Sequence, residues 1–152
     1  MTLRPKTAAG FTLLEIILAV GIGVVFMGGA VVFLSTTGGD RELMASRKML
    51  EQAAGEAREK ALGTGREQTV RLDFRAVGGQ EFPGDVEMDL ITPADLALGR
   101  KSWARPENYL WFVTGGGLVE PIRVRLRHGE NRDQFEFNAL TGESVTRRWQ
   151  EP

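Results

Sequence analysis

The chain has 152 residues, with 19 Lys and Arg against 20 Asp and Glu, a formal net charge of −1 at pH 7. It contains no Cys, which excludes disulfide stapling, cysteine nucleophiles and thiolate metal sites. Its near-neutral charge excludes a global basic field that could hold nucleic acid. The 113 residues from Asp40 onward suffice for one small domain, which must rely on packing for its stability.

The sequence opens with a short basic leader, and a long apolar run follows it. Arg4 and Lys6 precede Gly10, and the 24 residues of 11–34 carry a single charge, Glu15. As a helix the run would extend about 36 Å, more than the roughly 30 Å of a bilayer's hydrocarbon core. A secretory signal peptide is excluded, because its apolar region is shorter and ends in an A-x-A-like cleavage site. We expect a single-span anchor with a cytoplasmic N-terminus.

The junction between leader and apolar run reads Gly10-Phe11-Thr12-Leu13-Leu14-Glu15. It closely resembles the prepilin cleavage and methylation motif of type IV pilins and type II secretion pseudopilins. The resemblance implies that a prepilin peptidase cleaves between Gly10 and Phe11 and then methylates the new amine of Phe11. It also implies that Glu15 pairs with the N-terminal amine of a neighbouring subunit during assembly. The physics agrees, because a carboxylate in lipid needs a cation.

After Gly38-Gly39, the residues from Arg41 to Leu62 predict an amphipathic helix. Small and apolar residues lie near one stripe, while charged residues occupy the remaining surface. The stripe consists of Leu43, Leu50, Ala53, Ala57 and Ala61. Such a helix would extend the anchor and pack its stripe under a sheet, and Gly63-Thr64-Gly65 would end it.

From residue 70 onward, alternating apolar and polar residues predict strands separated by glycine-containing turns. The strands are expected near residues 70–75, 85–90, 109–113, 122–127, 135–137 and 145, with turns at 78–79, 115–117 and 128–133. The continuous apolar run of 109–113 is predicted to be a central strand. Residues 93–106 are the least regular and are predicted to be a loop. The expected organisation is a leader (1–10), a transmembrane helix (11–37), an amphipathic helix extension (38–63) and a β-rich periplasmic domain (64–152).

This order of elements resembles the pilin architecture, and within it the GspH/FimT group of minor pilins. The residues that carry the second resemblance lie in Leu50–Leu62, Gly65–Leu72 and Phe135–Val145. The resemblance implies an α+β fold. In that fold a long N-terminal helix, formed by the membrane anchor and the amphipathic half, packs on an antiparallel β-sheet domain.

Two of the predicted strands carry charges of opposite sign at alternate positions. The acidic strand has Asp85, Glu87 and Asp89, and the basic strand has Arg123, Arg125 and Arg127. We expect a solvated acidic face, because alternate acids on a flat strand lack the curved ligand geometry of a calcium site. A metal site and a surface for a basic partner are the alternatives. The two strands together also suit head-to-tail contacts between subunits.

Arg147 and Arg148 stand beside Trp149 near the end of the sequence. Arginine next to an exposed aromatic side chain is suited to single-stranded nucleic acid, and FimT-like minor pilins of DNA-uptake machines carry a basic C-terminal region that this pair resembles. Against this, the stretch from Ile122 to Pro152 is not strongly basic, because it contains five acidic residues as well as six Arg. Contact of these two arginines and the basic strand with DNA or a protein partner is therefore the weaker expectation.

The sequence predicts no catalytic, cofactor-binding or metal site. His128, the single histidine, is expected on a surface turn, since no motif supplies the acid and nucleophile that a catalytic histidine needs. Gly115-Gly116-Gly117 lacks the Lys-Ser/Thr of a P-loop and is read as a hairpin connection.

The chain thus resembles a minor pseudopilin of a type II secretion system, and the resemblance implies a place in the bacterial inner membrane with the C-terminal domain in the periplasm. Other pseudopilins and the prepilin peptidase are the expected partners, without a small-molecule substrate. The alternative is a FimT-like minor type IV pilin that binds DNA for uptake.

Overall fold

The computed structural model describes residues 13–147, with side-chain burial for residues 17, 18, 20, 22 and 39–147. The chain divides into two compact units, residues 1–37 and 38–152. The elements, in chain order, are α1 (Leu13–Thr64), β1 (Gln68–Asp73), β2 (Ala76–Val77), β3 (Gln80–Glu81), β4 (Glu87–Ile91), α2 (Pro93–Ala97), β5 (Tyr109–Val113), β6 (Arg123–His128), β7 (Asn131–Phe137) and β8 (Ser144–Thr146).

The second unit contains two four-stranded antiparallel sheets. Their strand orders are β3-β2-β1-β5 and β4-β6-β7-β8. In the first sheet Val70 of β1 lies opposite Trp111 of β5. In the second sheet Asp89 of β4 lies opposite Arg125 of β6. Because β5 and β4 each pair with one strand of their own sheet, they are edge strands. The prediction that residues 109–113 form a central strand is therefore wrong. The continuous apolar run suggested burial on both faces, but Leu110 and Phe112 are exposed on one face of β5.

One hydrophobic core joins the helix to both sheets. The helix contributes Leu50, Ala54 and Ala61, all fully buried, and the small alanines let the sheets approach its backbone closely. At the centre, the ring of Trp111 lies 4.6 Å from that of Phe137, measured between centroids. The core therefore fixes the part of α1 within this unit to the sheets by apolar contact, which is the main favourable term in folding.

The predicted stripe of the amphipathic helix is confirmed at four of its five positions, since Leu43, Leu50, Ala57 and Ala61 are buried. The remaining position is displaced by one residue, because Ala54 is fully buried and Ala53 only partly. Ala54 lies four residues after Leu50 and three before Ala57, so the buried residues keep the i, i+4, i+7 spacing of one helix face.

The predicted fold class is wrong. It combined a membrane anchor and an amphipathic half in one long helix on an antiparallel β-sheet. Within the residues that the structure describes, no helix is long and apolar enough to cross a membrane, and the helical residues in the core lie between 43 and 61. The strands also form two sheets instead of one. An α+β composition with antiparallel pairing is what remains of that prediction.

The loop predicted over 93–106 contains the short helix α2. The Thr92 hydroxyl accepts a hydrogen bond from the Asp95 backbone N–H at 3.2 Å, and the Asp95 carboxylate accepts one from the Thr92 backbone N–H at 3.2 Å. This reciprocal capping box, with Pro93 at the first helical position, is a known helix start. Its Thr-x-x-Asp spacing was visible in the sequence, so the loop prediction overlooked a local signal.

The predicted turn at 115–117 is confirmed as the connection that follows β5. The N–H of Thr114 donates to the carbonyl of Leu118 at 2.9 Å, and Gly117 has a φ of 78° that favours glycine. A Cβ at Gly115 would collide with the backbone carbonyl of Gly65. Glycine is therefore needed here for a close approach of two chain segments.

Candidate functional site

Several predicted functional positions lie outside the described part of the structure. Gly10, Phe11 and Arg148 fall outside the described residues, and Glu15 lies in α1 at a position whose side chain is not described. Cleavage, methylation and the assembly role of Glu15 therefore stay predictions.

The predicted acidic and basic strands are neighbours in one sheet, and their charges meet. Asp89 is 4% exposed, and its Oδ2 accepts hydrogen bonds from Arg125 Nη2 at 2.8 Å and Nε at 3.1 Å. Arg127 bridges two carboxylates, with Nη2 3.0 Å from Glu87 Oε2 and Nε 3.1 Å from Asp89 Oδ2. Bonds between ionised groups of this kind are about twice as strong as neutral ones.

The expectation of a solvated acidic face is therefore wrong at Asp89, which is buried beneath two guanidinium groups. The charges of these two strands are paired within one chain, so head-to-tail contact between subunits is not needed to pair them. The physical reason is the antiparallel register, which sets Glu87 opposite Arg127 and Asp89 opposite Arg125. Alternation within one strand predicts which residues share a face, but it does not tell which strand lies alongside.

The segment between α2 and β5 covers this charged face. Trp103 lies against Arg125, with the guanidinium carbon 4.8 Å from the ring centroid. Arg105 Nη2 lies 3.0 Å from Glu87 Oε2, and Ala104 between them exchanges two backbone hydrogen bonds with Leu90. Sequence reasoning missed these residues. The available signal was a tryptophan and an arginine at alternate positions, which is strand-like spacing inside an irregular segment.

The other two predicted arginines with described side chains also lie near a carboxylate. Arg123 Nε is 3.5 Å and Arg147 Nε 4.0 Å from Glu136 Oε2 on β7. The side chain of Arg147 is 62% exposed, so its ion pair is of the weak, solvent-screened kind. Contact of these arginines with DNA or a partner stays a prediction.

His128, expected on a surface turn, ends β6 and contacts α1. Its Nε2 lies 2.8 Å from Glu42 Oε2, and both side chains are about one-third exposed. The carboxylate of Glu42 in turn lies against Gly84, where a Cβ would collide with it. The histidine therefore links the helix to the sheet. Among the described residues, no group of three or more His, Asp or Glu side chains is placed to hold a metal ion.

Comparison with protein-family models, with curated proteins and with solved structures found no match. On this face the guanidinium groups of three arginines (Arg105, Arg125 and Arg127) surround two carboxylates, those of Glu87 and Asp89. Glu87 Oε2 lies close to both Arg105 and Arg127, and Asp89 Oδ2 lies close to both Arg125 and Arg127. These contacts join β4, β6 and the segment that carries Trp103 and Arg105.

Proposed function

We propose that this protein is a minor pseudopilin of a type II secretion system, of the GspH-like kind. Its work is assembly and contact, without catalysis of its own. The observation that carries the proposal is the sequence from Gly10 to Glu15, which combines glycine, an aromatic residue and a glutamate directly after a basic leader.

In this proposal a prepilin peptidase removes residues 1–10 and methylates the new amine of Phe11. Glu15 then pairs with the N-terminal amine of a neighbouring subunit. Arg4 and Lys6 on the amino side of the apolar run argue for a location at the bacterial inner membrane with the β-rich domain in the periplasm. The partners are other pseudopilins and the prepilin peptidase.

The core of the domain ties part of α1 to both sheets. Leu50 and Ala61 of α1 share one core with Trp111 of the first sheet and Phe135 of the second. Because protein cores are close-packed and transmit strain, a displacement of this part of the helix is passed to both sheets. A subunit that moves with a filament needs such coupling.

DNA uptake by a FimT-like pilin is the weaker candidate. The three arginines of β6 lie 2.8 to 3.5 Å from carboxylates of the same sheet. A DNA phosphate would have to displace these carboxylates, and so would gain less than it gains from arginines without such neighbours. The paired state of these side chains therefore favours the secretion role.

The assembly role of Glu15 is tested by Glu15→Ala in the full-length protein, expressed with its neighbouring pseudopilins. Loss of the carboxylate leaves a partner's amine without a counter-charge, so we expect co-purification to fall by about tenfold or more. Glu59→Ala, which changes an exposed glutamate of the same helix, is the matched control. Equal co-purification of both variants with the unchanged protein would contradict the assembly role.

A further inference from the structure

A groove of about 480 Å³ lies between β5 and the segment that carries α2. Its apolar wall is formed by Leu110 and Phe112 of β5, which are 49% and 40% exposed. Leu90 and Pro106 line the other side. The outer edge of β5 is paired with residues 119–120 at Phe112 and Val113, which leaves the position of Leu110 open on that edge. Natural proteins usually protect open sheet edges from unwanted pairing.

The backbone N–H and C=O of Leu110, a residue that lines the groove, lie on the edge of β5 that is not paired with β1. The carbonyl of Phe112 accepts a hydrogen bond from the Glu120 N–H at 2.9 Å, on the side away from β1. In an antiparallel pair, every second residue points its backbone N–H and C=O away from the partner strand. Leu110 lies two residues before Phe112, so its N–H and C=O also point away from β1. Among the described residues neither group has a hydrogen-bond partner.

The rim of the groove is acidic. Asp95 and Glu107 line it, and the carboxylate of Glu120 stands beside it, accepting a hydrogen bond from the Phe112 N–H at 3.3 Å. The hydrogen bonds from the Thr92 hydroxyl and backbone lower the pKa of Asp95, so that carboxylate is ionised. Arg105 also lines the groove, but its guanidinium group is paired with Glu87.

We propose that this groove binds an extended segment of a partner protein in which basic and apolar residues alternate. The segment pairs its backbone with the N–H and C=O of Leu110 as a short added strand. Its apolar side chains cover Leu110 and Phe112, and its lysines or arginines face the acidic rim. The groove is formed by residues between 90 and 112. Its proposed binding of a partner segment therefore does not depend on the proposed secretion role.

The probe is a fluorescently labelled peptide of about eight residues in which lysine and valine alternate. Its binding to the full-length protein is followed by fluorescence anisotropy. Two control peptides separate the contributions: one replaces every lysine with glutamate, and the other places proline at the centre and so removes a backbone donor. We expect each control to bind about tenfold more weakly or worse.

The matched protein variants are Leu110→Lys and Leu118→Lys. The two leucines are 49% and 47% exposed, but only the first lines the groove. We expect Leu110→Lys to weaken the lysine peptide about tenfold and Leu118→Lys to leave it unchanged, with equal thermal midpoints for both variants. Equal binding of lysine and glutamate peptides, or equal effects of the two variants, would overturn the proposal. Self-association of the unliganded protein that Leu110→Lys abolishes would also overturn it, since the occupant would then be a second copy.

Discussion

Replacing Trp111 with alanine is expected to lower the free energy of unfolding by about 3–5 kcal/mol, the usual cost of truncating a buried aromatic side chain. Trp111 is fully buried in the core, against Phe137. Its Nε1–H donates to the Glu120 carbonyl at 2.8 Å, so the change also leaves a part-buried acceptor without its partner. Since small domains are stable by only about 5–15 kcal/mol, this loss is a large fraction of the total.

The measurement is a urea titration of the full-length protein followed by far-ultraviolet circular dichroism. At the usual slope for small domains, the midpoint should fall by about 2 M. Phe112→Ala is the matched control, because this neighbouring aromatic residue is 40% exposed and points away from the core. If Trp111→Ala unfolded at the same urea concentration as Phe112→Ala, the position of the core would be contradicted.

Replacing Asp89 with alanine is expected to cost about 3 kcal/mol, because it removes the carboxylate beneath Arg125 and Arg127 and leaves their guanidinium groups poorly compensated. The side chain of Arg125 is 15% exposed and stacks on Trp103, so water reaches it poorly. Asp85→Ala is the control. Asp85 pairs with Arg75 at the surface and its side chain is 89% exposed, so its loss should hardly change stability.

A double variant separates the loss of the pair from the burial of an unpaired charge. Asp89→Leu with Arg125→Met replaces both charged side chains with apolar ones, and we expect it to recover most of the stability that Asp89→Ala loses. The same urea titration is the readout. A double variant no more stable than Asp89→Ala would show that the cost has another origin, such as the loss of the contact with Trp103.

Local patterns in the sequence predicted the local structure well. The Leu and Ala spacing located the helix stripe, and alternation located β1, β4 and β6 to within a few residues. A continuous apolar run located β5, although its predicted central position in the sheet was wrong. Glycine pairs located the turns, since glycine tolerates the positive φ seen at Gly78 and Gly79. These signals depend on residues that are close in the chain.

What the sequence did not predict depends on residues that are far apart in it. The pairing of β4 with β6 brings together Asp89 and Arg125, 36 residues apart, and no property of either strand alone selects that neighbour. The division into two sheets and the covering of the charged face by Trp103 have the same cause. In the candidate site, arginines that looked available for a partner are therefore found next to carboxylates of their own sheet.

The most direct test of the account is the mass of the mature protein, and of its N-terminal peptide, isolated from a cell that contains the secretion system. We predict a chain that begins at Phe11 and carries one added methyl group on its amine. We also predict that Gly10→Leu keeps residues 1–10, since a side chain at this position obstructs the peptidase. A mature chain that retains the leader, or a Gly10→Leu variant that is trimmed normally, would contradict the proposal that this protein is a processed pseudopilin.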